Sequence, residues 1–507
     1  MKNNNYHSAL NRFLQIDEPL IRHFKRILQL IPSDEKENAI YYWLKIIGDQ
    51  KFPSPKKIEI FSAKTQEVKS ILIHKMIRRI DTKIRKDKNY LKNAFELPQY
   101  PKQIFIDMSF AVESMMISGI FRVTKSLAEN ILDIDPRIGV FAYHYRNHVT
   151  HLVDIEIFRN MENDLKKYKA KVKEILLKHS KMLLFVTRFI YKMIRVAWQI
   201  IKQNDPLQNH KPLLPIGAHI IVAEMTDQIE RYSQYNLWHR YLLTSYSLVV
   251  HDLIPVYYPE FCPRSYEFLY YMQMLKVSDH IICVSNTVKK SVQGWLQGMD
   301  YFDVHKKPEV KTVYLGRGFK TRQLDGNYNL SSRKTILYVS SLEPRKNHMR
   351  LIEAVFLLSK HYDFHLILVG NMTPDGQEIS EKAKSYGRRG LSYSIKISVS
   401  DSELGRLYGE AYFTVFPSLT EGFGLPIIES IEYGKPCVCS NLGSMKELAS
   451  KLGGCHLVNP YSVESIKQGI EKLLSNERYY ERLKNEALNA KWHSWKDYAT
   501  QVYKIVS

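Results

Sequence analysis

The chain has 507 residues, 45% of them hydrophobic and 25% charged, with 33 Tyr, 21 Phe and 6 Trp. That composition excludes a disordered chain, and the length exceeds what one hydrophobic core serves, so two or more domains are expected. A formal charge of +21 calls for an anionic partner: a phosphate-bearing ligand, a nucleic acid or a membrane surface.

In chain order, residues 1–100 read as a basic helical extension punctuated by Pro53, Pro55, Pro98 and Pro101. The opening MKNNNYHSALNRF lacks the apolar core of a secretory signal. Residues 51–100 hold 13 Lys and Arg against 5 Asp and Glu. An amphipathic helix is expected over 69–88, with Ile73, Ile77, Ile80 and Ile84 as its apolar stripe. The texture then changes. QIFIDMS (103–109) and IGVFAYH (138–144) read as strands, with a helix over 118–132 between them.

An amphipathic insert follows at about 160–212. Residues 161–210 carry 11 basic against 4 acidic residues, and Lys178, Lys181, Arg188, Lys192, Arg195, Gln199 and Lys202 fall on one helical face. No stretch of 18 uncharged apolar residues exists, so no membrane-spanning helix is expected. Such a helix either lies in an anionic membrane interface or packs on its own domain with a solvated basic face. Strand patterns resume at 218–225, 246–255, 280–286 and 310–316. The alternation restarts after the polar linker LSSRK (330–334), with strands at 335–341, 364–370, 394–400, 412–418 and in PCVCS and HLVN. Ser400 with Glu403 forms a capping box, and Pro426 opens a helix at a position that needs no N–H. The fold class is therefore α/β, with two doubly wound Rossmann-like sheets that bind ligands at the carboxyl ends of their strands. The closing segment, 481–507, has helical spacing and is expected to return to the first domain.

Five cysteines, Cys262, Cys283, Cys437, Cys439 and Cys455, are odd in number and widely spaced, which fits reduced thiols in the cytoplasm. Cys437 and Cys439 read as buried small hydrophobes rather than metal ligands. Asp133-Ile134-Asp135 follows a helix and precedes a strand, so it reads as a turn rather than a metal-binding carboxylate pair.

The strongest chemical signal is SLTEGFGLPIIES, 418–430. Gly422 and Gly424 allow a ligand close to the backbone, and the free N–H groups of a helix start are hydrogen-bond donors. Glu421 and Glu429 are suited to accept hydrogen bonds from sugar or ribose hydroxyls. The blander reading is a glycine turn, with Glu429 merely favourable near a helix N-terminus. LEPRKN (342–347) puts Arg345 and Lys346 before a helix that Asn347 can cap, a suitable place for a diphosphate. Alone it is an ordinary basic turn.

LYVSSLEPRKN, SDSELGRLYGEA, FPSLTEGFGLPIIESIEYGKPCV and WHSWKDYATQVY together resemble the retaining GT-B glycosyltransferases of family four, bacterial surface-polysaccharide mannosyltransferases among them. The likeness is close over about 332–507 and looser over 100–330, where SGIFRV, HDLIP and SDHIICVSNTVKKSV carry it; residues 1–100 and about 160–212 have no counterpart. It implies two facing Rossmann-like domains with a helical N-terminal extension: an acceptor domain over 101–330 and a donor-binding domain over 331–480. It implies Arg345 and Lys346 on the donor diphosphate, with Gly119 approaching the phosphates. Val399 would meet the base, and Glu429 the ribose. Glu421, with the backbone of Phe423 and Gly424, would hold the donor sugar, faced by His251. His251 also reads as a histidine at a strand end bonded to its neighbours.

The resemblance further implies retention of configuration, no cofactor and no catalytic metal, cations and a helix dipole stabilising the leaving group instead. GDP-mannose is the first expectation for the donor, and a lipid-linked or oligosaccharide acceptor of O-antigen or capsule synthesis the expected partner. The basic helices suggest a cytoplasmic protein peripheral to the inner face of the membrane, with a homo-oligomer or a synthase complex as further partners to test. The alternatives are a catalytically silent scaffold that recruits a synthase complex and a GT-B sugar-nucleotide epimerase. Nucleic-acid binding rests on the charge alone.

Overall fold

A computed structural model describes residues 2–507, apart from 17, 88, 115–118, 145–147, 154–210, 227, 263–264, 299–306, 318–332 and 398. The basic insert helix expected over 178–202 lies outside the described residues. The chain forms two compact units, Met1–Leu248 with Tyr270–Asp279, and Val249–Leu269 with His280–Ser507. This division falls near residue 248 rather than near 330. The physical reason lies in the packing of the second unit: its last helix, Trp495–Val506, sits beside the strand His280–Cys283, and the Trp492 indole donates to the Leu315 carbonyl at 2.8 Å.

The N-terminal helices are part of the first unit. Trp43 is fully buried, stacks on Phe24 and donates from its indole to the Tyr241 carbonyl at 2.9 Å. The helix Gln66–Lys86 matches the one expected over 69–88, and Ile73, Ile77 and Ile80 are buried while Ile84 is half-buried. It packs against the helices Lys2–Leu14 and Lys36–Asp49. Burying each isoleucine is worth about 1.5–3 kcal/mol. The stripe that a bilayer would need is therefore used within the unit, while Lys75, Arg78, Arg79, Arg85 and Lys86 stay exposed. No described helix is long and apolar enough to cross a membrane.

The first sheet comprises β1 (Ile104–Asp107), β2 (Gly139–His144), β3 (Val149–Leu152), β4 (His219–Val222), β5 (Ser245–Val250), β6 (His280–Cys283) and β7 (Glu309–Thr312). Their order is β3-β2-β1-β4-β5-β6-β7, with β2 and β3 antiparallel. The edge strand β3 was not expected, because VTHL is too short and polar to carry a period. The second sheet comprises β8 (Lys334–Val339), β9 (Phe364–Val369), β10 (Tyr393–Lys396), β11 (Phe413–Phe416), β12 (Cys437–Ser440) and β13 (Cys455–Val458), in the order β10-β9-β8-β11-β12-β13. Its ladders are all parallel. Both sheets thus share one doubly wound order, in which the chain first builds outward one way and then restarts on the other side of the first strand. That reversal leaves a crevice at the carboxyl ends of the two central strands: β1 and β4 in the first sheet, β8 and β11 in the second.

Local signals explain several boundaries. Ser400 caps the helix Asp401–Glu410 by accepting from the Glu403 amide at 3.1 Å, but the Glu403 carboxylate pairs with Lys396 instead of completing a box. The closing segment breaks into Glu477–Asn489 and Trp495–Val506, the second opened by a full capping box between Ser494 and Asp497. Cys437 and Cys439 are buried free thiols. Asp135 holds Arg137 through two hydrogen bonds of 2.9 Å, in a turn after the helix Gly119–Ile134.

Candidate active site

At the switch point of the second sheet, two loops meet. The loop after β8 forms a single 3-10 turn, Pro344–Lys346, and the loop after β11 leads into the helix Leu425–Glu432. They are tied by the Leu419 amide donating to the Arg345 carbonyl at 2.8 Å, and the buried Tyr338 hydroxyl fixes the Lys346 carbonyl at 2.5 Å. Arg345 and Lys346 consequently converge on one carboxylate. Glu421 accepts from Arg345 Nη1 at 2.9 Å and from Lys346 Nζ at 2.5 Å, and Arg345 reaches Glu343 at 2.8 Å. Burial opposes ionisation of Glu421, but Lys346 and Arg345 outweigh it and pull its pKa down to about 2. Burial likewise penalises the Arg345 guanidinium, yet Glu421, Glu343 and Asp252 hold it firmly charged.

The Glu421 loop is pinned through its main chain. Ser444 donates to the Glu421 carbonyl at 2.8 Å and Ser285 to the Gly422 carbonyl at 2.7 Å. A Cβ at residue 422 would collide with the His251 carbonyl oxygen, so glycine is required there by close approach. Gly424 has φ +119°, a left-handed conformation that an L side chain resists, and it starts the helix with Pro426 in the first turn. Beside His251, the half-buried Asp252 accepts from the Ile254 amide at 3.0 Å; partial burial pushes its pKa up, partly offset by Arg345.

Glu429 is buried in the helix that follows, where its Oε2 accepts from the Tyr408 hydroxyl at 2.7 Å. Val399 packs against the apolar cluster that contains Leu404 and Tyr408, so Tyr408 links these two positions. Phe423 is buried, its ring beside those of Tyr314 and Trp492, which leaves its backbone as the part available to a ligand. Gly119 belongs to the first unit, where it is exposed at the start of its helix with open space around a notional Cβ. Asn347 stands at the expected helix start but does not cap it. It adopts φ +64°, and its side chain donates to the carbonyls of Pro417 at 3.0 Å and Pro460 at 2.7 Å. It therefore staples the loops around the site.

Four contributors escaped sequence reasoning. Glu343 and Asp252 sit inside the quoted motifs LEPRKN and HDLIP, and Tyr408 inside SDSELGRLYGEA, so their neighbourhood was marked though their contacts were not. Ser285 likewise sits inside SDHIICVSNTVKKSV. A fifth feature, the switch point of the first sheet, was missed altogether. Asp107 ends β1 and Glu224 follows β4, and the buried Arg231 bridges them, bonding Asp107 Oδ2 and, at 2.8 Å, Glu224 Oε2. Glu224 also accepts from the amides of Phe110 and Ala111 at 2.8 and 2.7 Å, and Tyr235 donates to Asp107 at 2.6 Å. Burial lifts Glu224 to about 7, against the pull of Arg231 and with the help of Asp107.

Residues 321–490 match the family "Glycosyl transferases group 1". The chain is 31% identical over 258 residues to the serotype-specific mannosyltransferase WbdA of Escherichia coli, covering 47% of this chain and 30% of that protein. It is 33% identical over 189 residues to the O-antigen chain mannosyltransferase B of Escherichia coli, covering 35% and 48%. The chain thus spans less than half the length of either relative. Among solved structures, Anabaena HepE in complex with UDP and glucose superposes with a TM-score of 0.52 over 80% of this chain and 99% of that one, at 14% identity, a likeness of fold. The switch-point loops around Glu421 fall inside the segment that matches the glycosyl transferases group 1 family.

Proposed function

We propose that this protein transfers a sugar, mannose first, from a nucleotide-sugar donor to a glycan acceptor in bacterial surface-polysaccharide synthesis, O-antigen or capsule. The observation that carries this reading is the convergence of Arg345 and Lys346 on Glu421 at a doubly wound switch point, with the Glu429–Tyr408 pair in the helix Leu425–Glu432 that follows. Arg345 and Lys346 supply fixed cations for a diphosphate leaving group, which lets departure proceed without a divalent ion. Glu421, ionised across the physiological range, accepts from sugar hydroxyls, and Glu429 from those of the ribose. Val399 meets the base and Gly119 the phosphates in this assignment. His251 faces the sugar. Configuration is retained and the departing phosphate takes the acceptor proton; no protein nucleophile is assigned. GDP-mannose is the donor of choice, since mannosyltransferases recur among the relatives. The acceptor is lipid-linked, and the exposed cations of the helix Gln66–Lys86 hold the cytoplasmic enzyme against the anionic inner face of the membrane by charge.

The test is incubation of the full chain with GDP-, UDP- and dTDP-sugars and a lipid-linked oligosaccharide fraction, with and without EDTA. Transfer from one donor, unaffected by EDTA and with α-donor giving α-product by NMR, is the expected result. A strict metal requirement or inversion would overturn the corresponding part of the mechanism. Absence of both transfer and donor hydrolysis would overturn the enzyme reading.

A further inference from the structure

The segment between Asp252 and Cys262 makes a short excursion that begins beside the ion cluster, where a Cβ on Gly422 would collide with the His251 carbonyl oxygen and lie 2.8 Å from the Asp252 Cβ. Asp252 anchors its start by accepting from the Ile254 amide, and lies within the field of Arg345 and Glu421. The chain then runs through two small turns, Ile254–Tyr257 and Pro259–Phe261, to Cys262. An excursion of this length, turned through Ile254–Tyr257 at about 1.5 Å per residue, keeps its tip within roughly 12 Å of its start. At that tip stand Tyr257 and Tyr258, which are 47% and 38% exposed. Neither is loose. The Tyr257 hydroxyl donates to the Ser291 carbonyl at 3.0 Å, and the Tyr258 ring stacks at 27° on Phe261 with centroids 6.3 Å apart.

Two exposed aromatic rings held in place beside a transfer site need a ligand class. The stretch Ile254–Cys262 contains no Lys or Arg and one acidic residue, Glu260, which disfavours an anionic lipid or a phosphate. A neutral hexopyranose fits. Its C–H face carries slight positive charge that suits the negative face of a tyrosine ring, while its hydroxyls remain in water. We infer that Tyr257 and Tyr258 form a stacking platform for the neutral sugar units of the acceptor glycan, next to the Arg345–Glu421 cluster. The inference rests on the glycosyl-transfer reading and adds to it where the acceptor chain lies and which sugar chemistry it presents.

The test uses the full chain and hydroxyl-radical footprinting with α-linked tetrasaccharides of mannose, glucose and galactose. The platform predicts protection of Tyr257 and Tyr258 by at least one of them, with no protection by anionic vesicles. It also predicts that Tyr257→Ala/Tyr258→Ala raises the acceptor KM at least about tenfold with the donor KM unchanged, and that Tyr258→Phe retains wild-type values. Because the footprint is taken on the unaltered protein, it stands even should the double variant fold poorly. Protection confined to other residues, protection by vesicles instead, or no protection by any of the three sugars overturns the platform. Stabilisation of the protein by GDP or another nucleotide is scored separately. Its loss would count against the donor site, whereas its presence with an unprotected Tyr257 and Tyr258 would sink the platform alone.

Discussion

The two sheets have one strand order and place charged residues at the same topological point, yet they use them differently. In the first sheet two carboxylates share one arginine, and all three side chains are at most 2% exposed. In the second, two cations share Glu421, and Arg345 keeps 22% of its surface while Lys346 and Glu421 keep 10%. The first cluster is sealed by Tyr235, by the amides of Phe110 and Ala111 and by the core, which makes it architecture. The second is lined by loops whose backbone is pinned while the charged ends stay reachable. The second switch point is therefore the better candidate for a site, because its charges are held but less completely covered. The pairing also differs: in the first cluster two carboxylates depend on one arginine, whereas in the second Glu421 is contacted by two cations, one of which, Arg345, also holds Glu343.

That contrast yields predictions of descending size. Arg231→Met leaves Asp107 and Glu224 buried without their cation, and should cost about 3–5 kcal/mol, read as a lowered thermal midpoint with the second unit's nucleotide response retained. A change below about 1 kcal/mol would mean that the cluster is not the structural element described. Glu421→Ala should lower transfer by about 100-fold or more at unchanged secondary structure, because the carboxylate acts on the donor rather than on the core. Full activity in that variant would remove the proposed site.

The two clusters should also respond to pH with opposite slopes. Glu224 has a folded pKa of about 7 against an ordinary 4.5, so the folded state binds its proton more tightly. Its contribution is fully present below pH 4.5 and is lost as pH rises through about 7, and Glu224→Gln should flatten a decline of about 1–3 kcal/mol across that window. Glu421, at about 2 against 4.5, contributes above pH 4.5, and that contribution is lost as pH falls through about 2. Thermal midpoints from pH 3 to 8 for wild type, Glu224→Gln and Glu421→Gln would separate them. A wild-type and Glu224→Gln pair with parallel curves would contradict the first assignment. The smallest effect concerns support of Glu429: Tyr408→Phe removes a hydrogen bond to that carboxylate and should raise the donor KM about three- to tenfold with kcat nearly unchanged. A drop in kcat alone would place Tyr408 elsewhere in the scheme.

Most of the second unit was legible in the sequence, because its strands are apolar runs closed by small residues and its helices carry explicit starts such as Ser400 and Pro426. The site was legible for the same reason. Arg345, Lys346, Glu421 and Glu429 are all close in sequence to a strand end, so the topology alone brings them near one another. What stayed hidden depends on contacts between distant segments. The Asp107–Arg231–Glu224 cluster joins residues more than a hundred positions apart, and nothing local marks them. Asn347 sits where a cap belongs, but the carbonyls of Pro417 and Pro460 take its side chain. The stripe of the helix Gln66–Lys86 shows the limit of amphipathicity: its period gives the helix and its buried face, and cannot say whether protein or lipid covers that face.

The central claim is that a nucleotide sugar binds at the second switch point, and the most direct measurement is the thermal shift of the full chain against GDP-mannose, UDP- and dTDP-sugars, with chelator, in wild type and Glu429→Gln. A ligand that binds only the native state raises its stability by mass action. The account predicts stabilisation by one nucleotide series, unchanged by chelator and diminished in Glu429→Gln. Stabilisation equal in both proteins, or by no donor at all, would contradict it.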